Sequence, residues 1–170
     1  MKNFIVFEGI DGSGKGTQIA KLKEYLRQTN QPAVFTREPG GGKISEDIRA
    51  VLKSKENLGM TDLCELLLFE AARNQHINDI ILPNLDKLVV CDRYDLSSLA
   101  YQGHARSLGI DKVYQMNLMA TNGLLPDVTI YVDVKPEVGL SRIKSNNREQ
   151  NRLDLEKISF HEKVYEGYHL

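Results

Sequence analysis

The sequence predicts an α/β fold in which a parallel sheet lies between layers of helices. Three observations carry the prediction. Short apolar runs at Phe4–Phe7, Ala33–Thr36, Leu88–Cys91 and Val128–Val134 alternate with stretches of helical periodicity. The run Leu88-Val89-Val90-Cys91 does not alternate polar with apolar residues, as expected of a parallel strand covered on both faces. The first run passes into a glycine-rich loop bearing a lysine and then into an amphipathic helix.

That loop, Gly9-Ile10-Asp11-Gly12-Ser13-Gly14-Lys15-Gly16-Thr17, has Gly, four residues, then Gly-Lys. Backbone N–H groups and a helix N-terminus in this order surround phosphates, and Lys15 adds a point charge at the terminal ones. The hydroxyl residue that usually follows the lysine and touches magnesium is Gly16 here, so metal contact falls to Thr17 or runs through water. A glycine turn that only links strand to helix is the plainer alternative.

At 170 residues the chain suits one domain, 1–170, with a core that buries most of its apolar surface. A net charge of −1 argues against broad attraction to nucleic acid or membrane, so any anion site must be built locally. Cys64 and Cys91 fit no metal spacing and suit reduced thiols in a cytoplasmic protein. No apolar run is long enough to span a bilayer, and the early start of the first strand, after Lys2, sets the expectation of no signal peptide.

Taken in order, the first helix covers about 15–28, with Ile19, Leu22 and Leu26 inward, and Asn30-Gln31-Pro32 ends it. The second strand runs into Arg37-Glu38-Pro39-Gly40-Gly41-Gly42, where the chain must turn. A short helix over about 45–53 places Ile44, Ile48, Val51 and Leu52 inward and Arg49 on another face. Asp62 is expected to cap the third helix with Glu65 completing a capping-box-like start, and Leu63, Leu67, Ile77 and Ile81 form its core stripe. Leu66, Phe69 and Arg73 share an adjoining face; a ring and a guanidinium one turn apart can stack a base and hold a phosphate. An edge-of-core phenylalanine with a solvated arginine fits the same spacing.

Pro83 closes that helix, and the third strand ends in Asp92-Arg93-Tyr94. Ligands of open α/β sheets sit at the carboxyl ends of the strands, where Asp11, Arg37, Asp92 and Arg93 all fall. Asp92 stands where an acid partners magnesium through its outer shell, or forms a structural pair with Arg93. Ser98, Tyr101 and Gln102 can face one way, either toward a polar ring edge or as an ordinary amphipathic surface. Asp111 is expected to cap the next helix, with Val113, Met116, Leu118 and Met119 in the core and Gly123 at its end. Pro136 opens a helix through about 144. Arg142, Arg148 and Arg152 then surround a polar loop that suits a lid over a phosphate site at about 142–153, or a solvated basic turn. A final helix holds Phe160, Val164, Tyr165 and Tyr168.

Several stretches together resemble the bacterial thymidylate kinases: Phe-Glu-Gly-Ile-Asp-Gly-Ser-Gly-Lys at 7–15, Thr-Arg-Glu-Pro-Gly-Gly at 36–41 and Leu-Leu-Phe-Glu-Ala-Ala-Arg at 67–73. Asp-Arg-Tyr with Ser-Ser-Leu-Ala-Tyr-Gln-Gly at 92–103 and Pro-Asp-Val-Thr-Ile-Tyr-Val-Asp-Val at 126–134 extend the likeness over nearly the whole chain. The resemblance implies a three-layer P-loop NTPase fold and transfer of the ATP γ-phosphoryl to dTMP with Mg²⁺. It implies that residues 9–17 bind ATP and that Phe69 stacks on thymine, with Ser98, Gln102 and Arg73 near the base. Arg37, Arg49 and Arg93 would handle the acceptor phosphate, Asp11 the sugar hydroxyl, and Tyr101 would crowd a 2′-hydroxyl. Glu38 and Asp92 would organise the metal or its arginine partners.

In this family one group places a catalytic arginine in the phosphate loop and another in the lid. Residues 10–13 hold no arginine, so Arg148 or Arg152 would join Lys15, Asp92 and Arg93 in catalysis. The resemblance also implies a homodimer built on helix faces. Family members continue beyond the equivalent of Tyr168 with a helix, a fifth strand and a last helix, so an edge strand and one wall of the adenine site are expected to be missing. Two other readings remain: an adenylate-kinase-like enzyme, suggested by Gly16, and a shortened nucleotide-binding remnant without turnover.

Overall fold

The computed structural model describes residues 3–145 and 150–170. Four parallel strands, β1 (Phe4–Glu8), β2 (Ala33–Arg37), β3 (Leu88–Asp92) and β4 (Val128–Tyr131), form one sheet in the order β2-β3-β1-β4. Phe4 is in register with Val89, Ala33 with Leu88, and Ile5 with Val128. β1 and β3 occupy the centre, so Phe4, Val6, Val89 and Cys91 are buried with Ile77, Ile81 and Tyr94 in one core cluster. β4 is shorter than the apolar run that predicts it: Val132 still donates to Glu8 O at 2.8 Å, but the run then leaves the ladder toward Pro136.

The described helices are α1 (Lys15–Gln28), α2 (Lys43–Lys53), α3 (Asp62–His76), α4 (Asp95–Ser98), α5 (Ile110–Thr121), α6 (Pro136–Ser145) and α7 (Ile158–Gly167). α1 and α6 coincide with expectation because their limits are set locally, by a glycine loop before Lys15 and by proline at the first turn. α3 widens into a π-helical turn, Ile77–Ile81, before Pro83, and α4 continues as a second one, Leu99–Ala105. The latter packs against α7, with Ala100, Tyr101, Phe160 and Val164 in a second core cluster.

Several expected helix details are corrected. Thr61, not Asp62, caps α3, its hydroxyl accepting from Cys64 N at 3.4 Å. Glu65 does not turn back to the helix start; it is buried and paired with distant cations. Leu63 and Leu67 are 44% and 51% exposed, because α3 directs Glu65, Leu66, Glu70, Ala72 and Arg73 inward instead. On α2 the inward residues are Ser45 and Leu52, while Ile44 and Val51 lie outside. Gly109, not Asp111, precedes α5, and Met119 is exposed because Asn117 occupies the inward position beside Val113. Gly123 ends α5 as expected, at φ 73° after Asn122 at φ 50°.

Candidate active site

The carboxyl ends of β1, β2 and β3 open on a cleft of about 770 Å³. One wall is the loop after β1. Gly12, at φ 76°, lies against α6 so closely that an added Cβ would stand 2.2 Å from Gly139 O. Only glycine permits that approach and that backbone. Gly14, at φ 102°, precedes α1 and lets the chain enter the helix directly. The Lys15 ammonium folds back onto the loop, donating to Gly9 O at 2.9 Å and Ile10 O at 3.0 Å. Burial, reinforced by the Arg93 charge, pushes it down to about 8.

The opposite wall is organised by Arg93. Its backbone sits at φ 74°, a conformation that costs a residue with a Cβ about 1–2 kcal/mol. The strain is held by Arg93 N donating to Phe7 O at 2.9 Å and by the guanidinium, which donates to Asp11 Oδ1 at 2.9 Å, Tyr168 OH at 3.0 Å, Tyr101 OH at 3.1 Å and Ser97 Oγ at 3.2 Å. Tyr101 OH also donates to Asp11 Oδ2 at 2.9 Å. Burial alone would raise the Asp11 carboxyl, but Arg93, Lys53 and Lys15 outweigh it and hold Asp11 well below the usual carboxylate range.

Beneath this layer lies a buried polar network that sequence reasoning missed. Glu8, at the end of β1, accepts from Ser97 Oγ at 2.6 Å, Tyr94 N at 2.8 Å and Tyr168 OH at 2.9 Å, tying β1 to α4 and α7. Burial pushes its carboxyl up. Glu38 takes Arg73 Nε at 2.7 Å on one oxygen and lies 3.0 Å from His76 Nδ1 on the other, while His76 Nε2 meets Thr36 Oγ1 at 2.7 Å. No sequence pattern marks Glu8, His76 or Asn117, because their partners lie tens of residues away.

Most expected site residues converge here: Asp11 through Thr17, Arg37, Glu38, Arg49, Phe69, Arg73, Asp92, Arg93, Ser98, Tyr101 and Gln102 all line the cleft. Gly9 and Ile10 lie just outside its lining as the loop's first turn, where their carbonyls hold Lys15. Two placements, those of Arg73 and Arg152, differ from expectation. Arg73 is 2% exposed and fully engaged, donating to Glu38, Glu70, Ser98, Asn117 and Tyr94 O, so it braces the wall it lines. Gln102 donates its amide to Glu65 at 2.7 Å.

Arg152, expected on a lid over the phosphates, is buried, donating to Leu52 O at 3.0 Å and paired with Glu65. Glu65 captures it because burial leaves that carboxylate dependent on cations, Arg106 being the other at 3.1 Å. Its neighbour Leu153 is buried as well, an apolar anchor in what the sequence presents as a polar loop. Arg148 lies outside the described residues. Among the described residues, the arginine of this run that reaches the phosphate loop is Arg142, donating to Ser13 O at 3.2 Å and Gly12 O at 3.3 Å. Its position one turn from the end of α6 was the available signal.

For a cation, Thr17 stands exposed on the loop side of the cleft, and Asp92 Oδ1 is buried without a hydrogen-bond partner among the described residues. No three His, Cys, Asp or Glu side chains among the described residues group to form a metal cage. These residues fit an ion held by one hydroxyl, waters and nucleotide phosphates, the manner usual for magnesium.

The chain is similar in fold and in sequence to known proteins. A solved thymidylate kinase from Ehrlichia chaffeensis superposes with a TM-score of 0.77 at 36% identity, over 98% of this chain and 84% of that one. The thymidylate kinase of Bacillus cytotoxicus is 54% identical over 168 residues, 97% of this chain and 81% of that protein. That of Clostridium novyi is 51% identical, over 97% of this chain and 82% of that protein. The family model described as thymidylate kinase matches residues 7–170, and with that match and these relatives the chain belongs to the thymidylate kinase family.

Proposed function

We propose that the protein transfers the γ-phosphoryl group of ATP to dTMP, giving dTDP and ADP for dTTP synthesis. The observation that carries this reading is the cleft itself, where a lysine-bearing amide cradle and a wall holding Phe69 and Arg93 line one cavity of about 770 Å³. A monophosphate is nearly dianionic at neutral pH, its second pKa being about 6, so the attacking oxygen needs no general base. What remains for the protein is alignment and charge neutralisation.

In this reading the amides of residues 9–17 and Lys15 hold the ATP phosphates, and Phe69 takes the thymine face. Arg37, Arg49 and Arg93 hold the acceptor phosphate. Asp11, fixed by Arg93 and Tyr101 at 2.9 Å each, receives the sugar hydroxyl. Tyr101 narrows the space beside the sugar, favouring a deoxyribose. Ser98 and Gln102 border the base with their polar atoms set by Arg73 and Glu65. Glu38 keeps Arg73 oriented, and Arg142 supplies the cation nearest the loop. Mg²⁺, with Thr17 and a water-mediated Asp92 as its protein contacts, would supply further charge neutralisation on the ATP phosphates.

Of the lid expected at about 142–153, the role is retained for Arg142, which lines the cleft; residues 146–149 lie outside the described residues. A single domain, a cytoplasmic location and a homodimer complete the reading. No described helix is long and apolar enough to cross a membrane. The dimer is supported by the exposed Ile44, Val51, Leu63 and Leu67 on α2 and α3, which pack side by side.

Product formation from ATP with dTMP or with AMP as acceptor tests the assignment. Turnover with dTMP and little with AMP is expected. Preference for AMP would replace the reading by an adenylate-kinase-like one, and nucleotide binding without product would leave a non-catalytic binder.

A further inference from the structure

α2 ends at Lys53, one helical turn beyond Arg49, and both side chains line the cleft. The charged groups that act on Lys53 come from every side: Asp11 in the phosphate loop, Arg93 after β3, Arg49 on its own helix and Asp154 in the turn Leu153–Leu155. Among the described residues none of these acids forms an ion pair with it. Asp11, the acid with the largest influence on it, is already occupied by Arg93 and Tyr101 at 2.9 Å each. A half-buried ammonium without its own counter-ion is poorly stabilised, and this burial pushes Lys53 down to about 8. An arriving dianion would complete it. The Lys53 backbone has a separate structural task, its carbonyl accepting from Arg152 N at 3.2 Å, which a side-chain change leaves intact.

We propose that Lys53 is a further acceptor-binding residue, a cation that closes on the phosphate of the bound nucleoside monophosphate beside Arg49 and Arg93. Its ammonium adds charge on the side of the cleft where Asp11 would otherwise repel the dianion. This proposal rests on the dTMP-acceptor reading above. A neutral nucleoside offers Lys53 no counter-charge, so the residue discriminates the monophosphate from the nucleoside.

Calorimetric binding of dTMP and of thymidine to the parent, Lys53→Met and Lys53→Arg, at pH 7 and pH 9, tests it. At pH 7 Lys53→Met is expected to weaken dTMP by about tenfold, the loss of one charge-assisted contact, and thymidine by less than about twofold. Lys53→Arg should retain most of the dTMP affinity. The loss of dTMP affinity between pH 7 and pH 9 should be smaller in Lys53→Met than in the parent, because one titrating cation is gone. Unchanged dTMP affinity in Lys53→Met, equal weakening of dTMP and thymidine, or the same pH dependence in both proteins would overturn the assignment. A parent that binds neither dTMP nor thymidine but binds AMP would remove the acceptor reading itself, a result distinct from all of these.

Discussion

Replacing Arg73 by methionine separates two roles the residue could hold, base recognition and support of the cleft wall. The guanidinium donates to Glu38 and Asn117 at 2.7 Å, Glu70 and Tyr94 O at 2.8 Å and Ser98 at 3.0 Å, and it is buried. Methionine fills much of the same volume but leaves Glu38 and Glu70 buried without their cation. Breaking a buried ion pair from one side costs about 3–5 kcal/mol. At roughly 2–4 °C per kcal/mol for a chain of this size, the unfolding midpoint should fall by roughly 6–20 °C.

The deficit depends on pH in a definite sense. Burial already pushes the Glu70 and Asp95 carboxyls up, and without Arg73, which opposes that rise, both move higher. A carboxyl whose pKa in the folded protein exceeds its unfolded value penalises folding above that pKa and ceases to do so once both states are protonated. The Arg73→Met deficit should therefore be largest at pH 8 and shrink as pH falls into the ordinary carboxylate range. Arg73→Lys, which keeps the charge but not the planar fork, should fall between the two. Thermal unfolding followed by circular dichroism, with dTMP binding measured in parallel, provides the assay. A midpoint for Arg73→Met within about 4 °C of the parent at pH 8, with dTMP binding lost, would refute the bracing role and assign Arg73 to recognition alone.

Lys15→Ala and Arg93→Ala should each lower turnover by at least about 10²-fold, since each removes a cation from the path of the phosphoryl group; near-normal turnover in either folded variant contradicts its role. Phe69→Ala should raise the KM for dTMP by roughly tenfold with kcat much less affected, as loss of one stacking contact predicts. Arg142→Ala and Arg152→Ala should part company. The first should lower turnover by at least about tenfold at an unchanged unfolding midpoint, whereas the second should lower stability by about 1–3 kcal/mol because Glu65 loses a buried partner. Steady-state kinetics and thermal unfolding of both variants check this pair.

How much could be read from the chain depended on how far apart the cooperating residues lie. The strands and α1 and α6 were legible because apolar runs, glycine loops and proline act within a few residues. The faces of α2, α3 and α5 were not. Apolar residues stand on more than one side of each, and the inward positions of α3 and α5 include Glu65, Glu70, Arg73 and Asn117, which hydropathy places in water. Burying them is possible only because each finds a partner from another element: Arg73 with Glu38, Glu65 with Arg106 and Arg152, Asn117 with Arg73. The same limit explains Arg152, which spacing put on a lid and Glu65 draws into the interior.

The sequence by itself determined the phosphate cradle and the charged rim of the sheet, because a strand, a glycine loop, a lysine and a helix start are contiguous and strand ends must point to one edge. Only the tertiary structure decided which cations face the cleft and which hold it together. Arg93, Arg142 and Lys53 line the cavity, Arg73 is fixed in its wall by carboxylates 3 and 35 positions away in the chain, and Arg152 is drawn out of it. That division follows from desolvation: a buried acid must be met by a cation, and which one can reach it is a property of packing rather than of neighbouring residues.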